Sequence, residues 1–78
     1  MITLDTLNRI FQQVFGDDSL EIARETTAND VENWDSLTHM DLIVSIEGQL
    51  KIKFALGDLL RLKNVGELLD LINSELSK

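Results

Sequence analysis

Apolar residues recur at three- and four-residue intervals in three separate segments of this 78-residue chain. In the first segment they are Leu4, Leu7, Ile10, Phe11, Val14 and Phe15. This is the spacing of the buried face of an amphipathic helix. Thr3 is a suitable cap for the start of that helix, and Gly16 suits a left-handed residue just beyond its end. The pattern therefore predicts a first helix over residues 4–15.

Two more long helices and a short one follow. The second is predicted over "DSLTHMDLIVSIEGQL", with Asp35 as its N-cap and Gly48 weakening its last turn. The final helix opens at Asn64, with Glu67 in the capping-box position, and its apolar residues are Val65, Leu68, Leu69, Ile72 and Leu76. Between them, "GDLLRLK" is too short to be helical without packing. We therefore expect one all-α domain over residues 1–78, with three longer helices and one short helix.

The connections carry different signals. "DDSLEIARETTANDVEN", between the first two helices, has no sustained period and is long for a connection in a compact domain. We expect it to be pinned along the bundle by Leu20, Ile22 and Val31. "KIKF" is predicted to be a short extended or turning piece, because its alternation has no partner strand.

Charge and composition exclude several functions. Fourteen acidic against seven basic residues give a net charge of −7, which repels nucleic acids and anionic membrane surfaces. No stretch approaches the roughly 18 apolar residues that span a bilayer, and the first residues lack a signal-peptide pattern. With no cysteine and one histidine, neither disulfides nor a structural zinc site is expected. These features favour a soluble, cytoplasmic protein that neither binds nucleic acid nor inserts into membranes.

The second helix has apolar residues on two opposite sides. One side, predicted to face the core, comprises Leu42, Ile43, Ile46 and Leu50. The other side, predicted to be exposed, comprises Leu37, Met40 and Val44. It begins beside Ser36, in the first turn, where backbone N–H groups and the helix macrodipole favour an anion. A phosphate ester on Ser36 would therefore lie next to an apolar patch able to meet a partner.

Nearly the whole chain resembles the acyl carrier protein family, in its order of long helix, long loop, long helix, short helix and long helix and in "DSL" at the opening of the second helix. "WDSLTHMDLIVSIEGQLKIKF" resembles the attachment-site helix and the turn after it, and "LKNVGELLDLI" resembles the entry into the final helix. The resemblance implies an acyl-carrier-like four-helix bundle that is not itself an enzyme. It also implies that Ser36 carries a 4′-phosphopantetheine arm, whose thiol holds acyl intermediates as thioesters. Asp35 would then lie near the Mg²⁺ used by the phosphopantetheinyl transferase.

Further expectations come from the same resemblance. Enzymes that load and transfer acyl groups would contact Leu37, Met40, Asp41, Val44 and Glu47. The bundle would open between its helices to shelter an acyl chain, with candidate lining residues Ile46, Phe54, Leu59, Leu62 and Leu68. The protein would act as a monomer.

The charge distribution departs from that of general fatty-acid carriers. Thr38 stands where an acid is common, and four bases neutralise the segment that would dock: Lys51, Lys53, Arg61 and Lys63. Because association depends on complementary charge, we expect a dedicated partner and a specialised carrier of a lipid, polyketide or cell-surface polysaccharide pathway. Two alternatives stay open: an aminoacyl or peptidyl carrier, and an unmodified helical interaction module.

His39 raises the question of a hydrolytic triad with Asp35 and Ser36. All three residues would crowd into one helical turn, and the sequence lacks the G-x-S-x-G elbow that presents a nucleophilic serine. A hydrolase is therefore not predicted. We expect His39 to be a hydrogen-bonded residue at the edge of the bundle, and Trp34 to pack back against the bundle.

Overall fold

The computed structural model describes all 78 residues as four helices joined by three connections. They are α1 (Leu4–Phe15), α2 (Ser36–Leu50), α3 (Leu56–Leu60) and α4 (Val65–Leu76). No residue is in a β-strand, so "KIKF" is the non-strand connection that was predicted. The all-α class, with a long connection between the first two helices, is confirmed. None of the helices is long and apolar enough to cross a membrane.

Local capping sets most of the helix ends. Thr3 accepts a hydrogen bond from the Thr6 N–H at 3.3 Å, and Gly16 has the left-handed φ of 63°, so α1 has its predicted bounds. At α4 the Asn64 side chain accepts from the Glu67 N–H at 2.9 Å. Glu67 does not return that bond, so only half of the predicted capping box forms.

α2 begins after its cap Asp35 and ends at Leu50, as predicted, and it closes with Lys51 in a left-handed conformation, φ 57°. The bounds of the short helix differ from the prediction. The short helix begins at Leu56 and ends at Leu60, one residue earlier at its start and three residues earlier at its end than "GDLLRLK". A helix this short depends on its packing partners, which sequence periodicity does not identify.

The core joins α1, α2, α4 and the long connection. Its eleven buried residues are Leu7, Ile10, Phe11, Ile22, Leu42, Ile43, Ile46, Val65, Leu68, Leu69 and Ile72. Leu50, predicted to share this face, is only half-buried at its edge. α3 contributes no buried residue and is held at the surface by the half-buried Leu59.

The long connection is pinned along the bundle, as predicted. Ile22 and Val31 are buried, and Leu20 packs against the core. Two backbone groups of the connection bond to the Asn8 side chain of α1. Its Oδ1 accepts from the Ile22 N–H at 2.8 Å, and its Nδ2 donates to the Leu20 carbonyl at 3.1 Å.

The same connection also covers the start of α4. The Val65 N–H donates to the Thr26 carbonyl and the Gly66 N–H to the Arg24 carbonyl, both at 2.8 Å. These two N–H groups belong to the first turn, where a helix has no internal partners for them. A Cβ on Gly66 would lie 3.0 Å from the Arg24 carbonyl oxygen, so glycine permits this close approach.

Candidate functional site

Ser36 is the first residue of α2 and is exposed. Asp35 precedes it in an extended conformation, which turns the chain into the helix and leaves the serine side chain outside the bundle. The Ser36 hydroxyl makes no hydrogen bond within the chain. It is therefore an accessible nucleophile at the start of a helix.

Asp35 uses its two carboxylate oxygens differently. Oδ1 accepts from the N–H groups of Leu37 and Thr38 at 2.9 and 3.0 Å, while Oδ2 accepts no hydrogen bond within the chain. Thr38 Oγ1 in turn accepts from the Asp35 N–H at 2.7 Å, which completes a capping box. The sequence did not indicate this reciprocal bond, because glutamate or glutamine is the usual residue at that position.

The Asp35 carboxylate changes the electrostatics expected at Ser36. Hydrogen bonds from the backbone N–H groups, that of Thr38 above all, lower the pKa of Asp35, so the carboxylate is ionised at neutral pH. Two of the N–H groups expected to favour a phosphate are thus already bonded to an anion. The free Oδ2 is still available to a cation. No group of acidic or histidine side chains in the chain holds a metal alone, so that cation would need ligands from outside.

Trp34 and His39 form the wall beside Ser36. Trp34 packs edge-on against Phe11 of the core, with ring centroids 5.3 Å apart. Its Nε1–H donates to His39 Nδ1 at 3.2 Å. Because an indole N–H only donates, His39 Nδ1 must be unprotonated, and burial lowers the pKa of His39. Both predicted positions are confirmed, and since Nδ1 bonds to Trp34, no triad with Asp35 forms.

A cavity of about 490 Å³ opens beside Ser36, between the start of α2 and the connection from α3 to α4. It is lined by Ala28, Trp34, Asp35, Ser36, His39, Met40, Leu62, Lys63, Asn64 and Leu68. Of the five residues predicted to line an acyl pocket, Leu62 and Leu68 lie here. The others do not: Ile46 is fully buried in the core, and Phe54 and Leu59 pack against the core from elsewhere.

The outer side of α2 has the exposure that was predicted. Leu37, Met40 and Val44 are 78%, 52% and 62% exposed, so the long connection does not cover them. Asp41 is also exposed. Glu47 differs, because its carboxylate accepts the Phe54 N–H at 3.0 Å and so holds the connection from α2 to α3. One of its two carboxylate oxygens is therefore used within the chain.

Comparisons with known proteins agree with this geometry. The family model for the phosphopantetheine attachment site matches residues 5–72. The solution NMR structure of a holo acyl carrier protein from Geobacter metallireducens is 61% identical, with a TM-score of 0.93. The match covers 99% of this chain and 88% of that chain. A search of curated proteins returned no match.

Proposed function

This chain belongs to the phosphopantetheine-carrying acyl carrier protein family, and on that premise we propose that Ser36 is the residue to which the arm is attached. The observation that carries the proposal is an exposed, unbonded hydroxyl at the first residue of α2, on the rim of a cavity. Ser74 is also exposed and unbonded, but it lies within α4 and away from the cavity, whereas two other serines have bonded hydroxyls. Ser19 donates to the Asp17 carboxylate at 2.6 Å, and Ser77 donates to the Asn73 carbonyl at 2.9 Å.

The cavity beside Ser36 suits a phosphopantetheine arm. Trp34, Met40 and Leu68 provide apolar surface, and Lys63 provides a cation for the phosphate. Lys63 matters because Asp35 already occupies the N–H groups of Leu37 and Thr38 at the start of α2. When attached, the arm supplies a terminal thiol that holds acyl groups as thioesters, which this chain cannot do alone because it has no cysteine.

Asp35 has two separate tasks in this proposal. Oδ1 fixes the first turn of α2 and so holds Ser36 at the surface. Oδ2, which has no partner in the chain, would be available as one ligand to the Mg²⁺ used by the phosphopantetheinyl transferase, and that enzyme would supply the remaining ligands and the catalysis. The carrier contributes the positioned hydroxyl and one metal-facing oxygen.

The partners follow from charge and exposure. We infer a specialised carrier of a lipid, polyketide or cell-surface polysaccharide pathway, with acyl-loading and acyl-transferring enzymes of its own. The Thr38 side chain is hydrogen-bonded in the capping box and adds no charge to the surface of α2. Residues 51–63 hold four bases and one acid. A general fatty-acid enzyme with a basic docking patch gains little attraction from such a segment.

The attachment residue is tested by mass spectrometry. The apo protein is incubated with coenzyme A, Mg²⁺ and a broad-specificity phosphopantetheinyl transferase. Wild type is expected to gain one phosphopantetheine and Ser36→Ala none. Ser74→Ala, which removes an exposed serine from α4, is the matched control and should be modified like wild type. Modification of Ser36→Ala would overturn the assignment.

The class of cargo needs a second measurement on the holo protein. Fatty-acid and amino-acid adenylating enzymes are offered the same sample, and the added mass is read after each reaction. Acyl loading is expected. Exclusive aminoacyl loading would instead assign the chain to the aminoacyl or peptidyl carriers. The intact mass of protein from its native host would then identify the acyl group.

A further inference from the structure

The short helix α3 exposes two large apolar side chains. Leu56 and Leu60 are 69% and 77% exposed. They are four residues apart and so lie on the same side of the helix. Leu59, the residue before Leu60, is half-buried and packs α3 against the core. Folding therefore uses one leucine of this helix and leaves two in contact with solvent.

Unpaired lysines surround these leucines. Lys51 and Lys53 precede α3 and Lys63 follows it; all three are exposed, and none makes a salt bridge. Arg61 is paired with Asp58, the only acid in residues 51–63. This segment has a net charge of +3, whereas the rest of the chain carries thirteen acids and three bases. The positive charge of the protein is thus concentrated around its most exposed leucines outside α2.

We propose that Leu56, Leu60 and Lys53, with Lys63 at the edge, form a docking surface, called here the α3 surface, for a partner protein that presents acidic side chains around an apolar pocket. The occupant is identified by charge complementarity. The proposal rests on the proposed function, because Lys63 also lines the cavity beside Ser36. A partner on the α3 surface would therefore be adjacent to the arm.

An anionic membrane fits the same surface less well. Three lysines are attracted to such a surface, but the net charge of −10 on the rest of the chain is repelled by it. A helix of five residues is also far shorter than the amphipathic helices that lie in a lipid interface. A protein that meets only this side of the molecule avoids both costs.

The test is an NMR titration with two synthetic peptides. One places glutamates around leucine and phenylalanine, and the other is identical except that lysines replace the glutamates. The acidic peptide is expected to shift amide signals within residues 51–63, and the basic peptide is not. No binding of the acidic peptide, equal binding of the two peptides, or shifts confined to α2 would overturn the proposal.

Variants locate the surface. Leu56→Ser combined with Leu60→Ser should weaken binding of the acidic peptide at least tenfold, and so should Lys53→Glu. Lys53 is used because Lys63 also faces the cavity. Arg9→Glu reverses an exposed, unpaired base on α1 and is the matched control, expected to change the affinity less than twofold. An equal loss in Arg9→Glu would show that only net charge matters.

Three further measurements separate the alternatives. The titration is repeated on Ser36→Ala; binding there should be unchanged, so a failed attachment assignment and a failed docking surface give different results. Sedimentation with phosphatidylglycerol vesicles should show no association. If the protein does sediment with the vesicles and Lys53→Glu abolishes this, the α3 surface binds lipid and not a partner protein. If analytical ultracentrifugation shows a dimer that Lys53→Glu dissociates, the α3 surface binds a second copy of this chain and not a different protein.

Discussion

The two apolar sides of α2 should respond very differently to truncation. Ile46 is fully buried, and Ile46→Ala removes three carbons worth about 0.8 kcal/mol each, or about 2.4 kcal/mol of transfer free energy. The cavity left behind brings the expected loss into the range of about 2–5 kcal/mol. A chain of 78 residues has a total stability of about 4–12 kcal/mol, so this single change removes a large part of it.

Met40→Ala is the matched change on the exposed side. Met40 is 52% exposed, and methionine and alanine are both good helix formers, so the free energy of unfolding should change by less than about 0.5 kcal/mol. Thermal melts followed by circular dichroism should therefore show Tm lowered by about 8–40 °C in Ile46→Ala and nearly unchanged in Met40→Ala. Urea titrations with equal slopes would show that the unfolding reaction is the same. Equal losses in the two variants would refute the division of α2 into a core side and a partner side.

Three other changes test particular contacts. Asp35→Asn keeps a side-chain oxygen for the cap but removes the negative charge, so Tm should fall less than in Asp35→Ala. Transfer of phosphopantetheine should be slower than wild type in both variants. Transfer at the wild-type rate in Asp35→Asn would contradict the role of Oδ2. Gly66→Ala forces a Cβ toward the Arg24 carbonyl and should lower the free energy of unfolding by about 1–3 kcal/mol. Gly48→Ala, whose Cβ would have no atom within 4 Å, should raise it by about 0.5–1 kcal/mol. Chemical denaturation measures both changes, and equal effects would refute the close approach at Gly66. Burial lowers the pKa of His39, so its neutral form contributes stability that is complete above about pH 6.5 and is lost as the pH falls through the folded-state pKa. Tm should therefore decrease below pH 6.5. A decrease of the same size in His39→Gln would show that other groups cause it.

The predicted features that the structure confirms depend on local signals. Thr3 and Gly16 act on neighbouring backbone, and the apolar spacing of α1 and α2 depends only on helix geometry, so neighbouring residues suffice to predict them. The order of the helices and the exposed side of α2 follow from the same spacing.

The features that the sequence did not indicate depend on contacts between distant segments. Arg24 and Gly66 meet across 42 positions of the chain, and nothing near Gly66 shows that a carbonyl approaches it. The cavity beside Ser36 was likewise not predicted, because periodicity identifies which side of a helix is buried but not where two segments leave a space between them. Glu47 looked like a surface acid because its partner, the Phe54 N–H, belongs to the backbone.

Trp34 is the only tryptophan in the chain, and its indole forms part of the cavity wall next to Ser36. The molecule consequently contains its own fluorescent reporter for what enters that space. Cargo that displaces water from the indole, or that breaks its bond to His39, should shift the emission without any added label. Loading and unloading of the holo protein can then be followed in real time as a shift in the emission wavelength, with no attached dye.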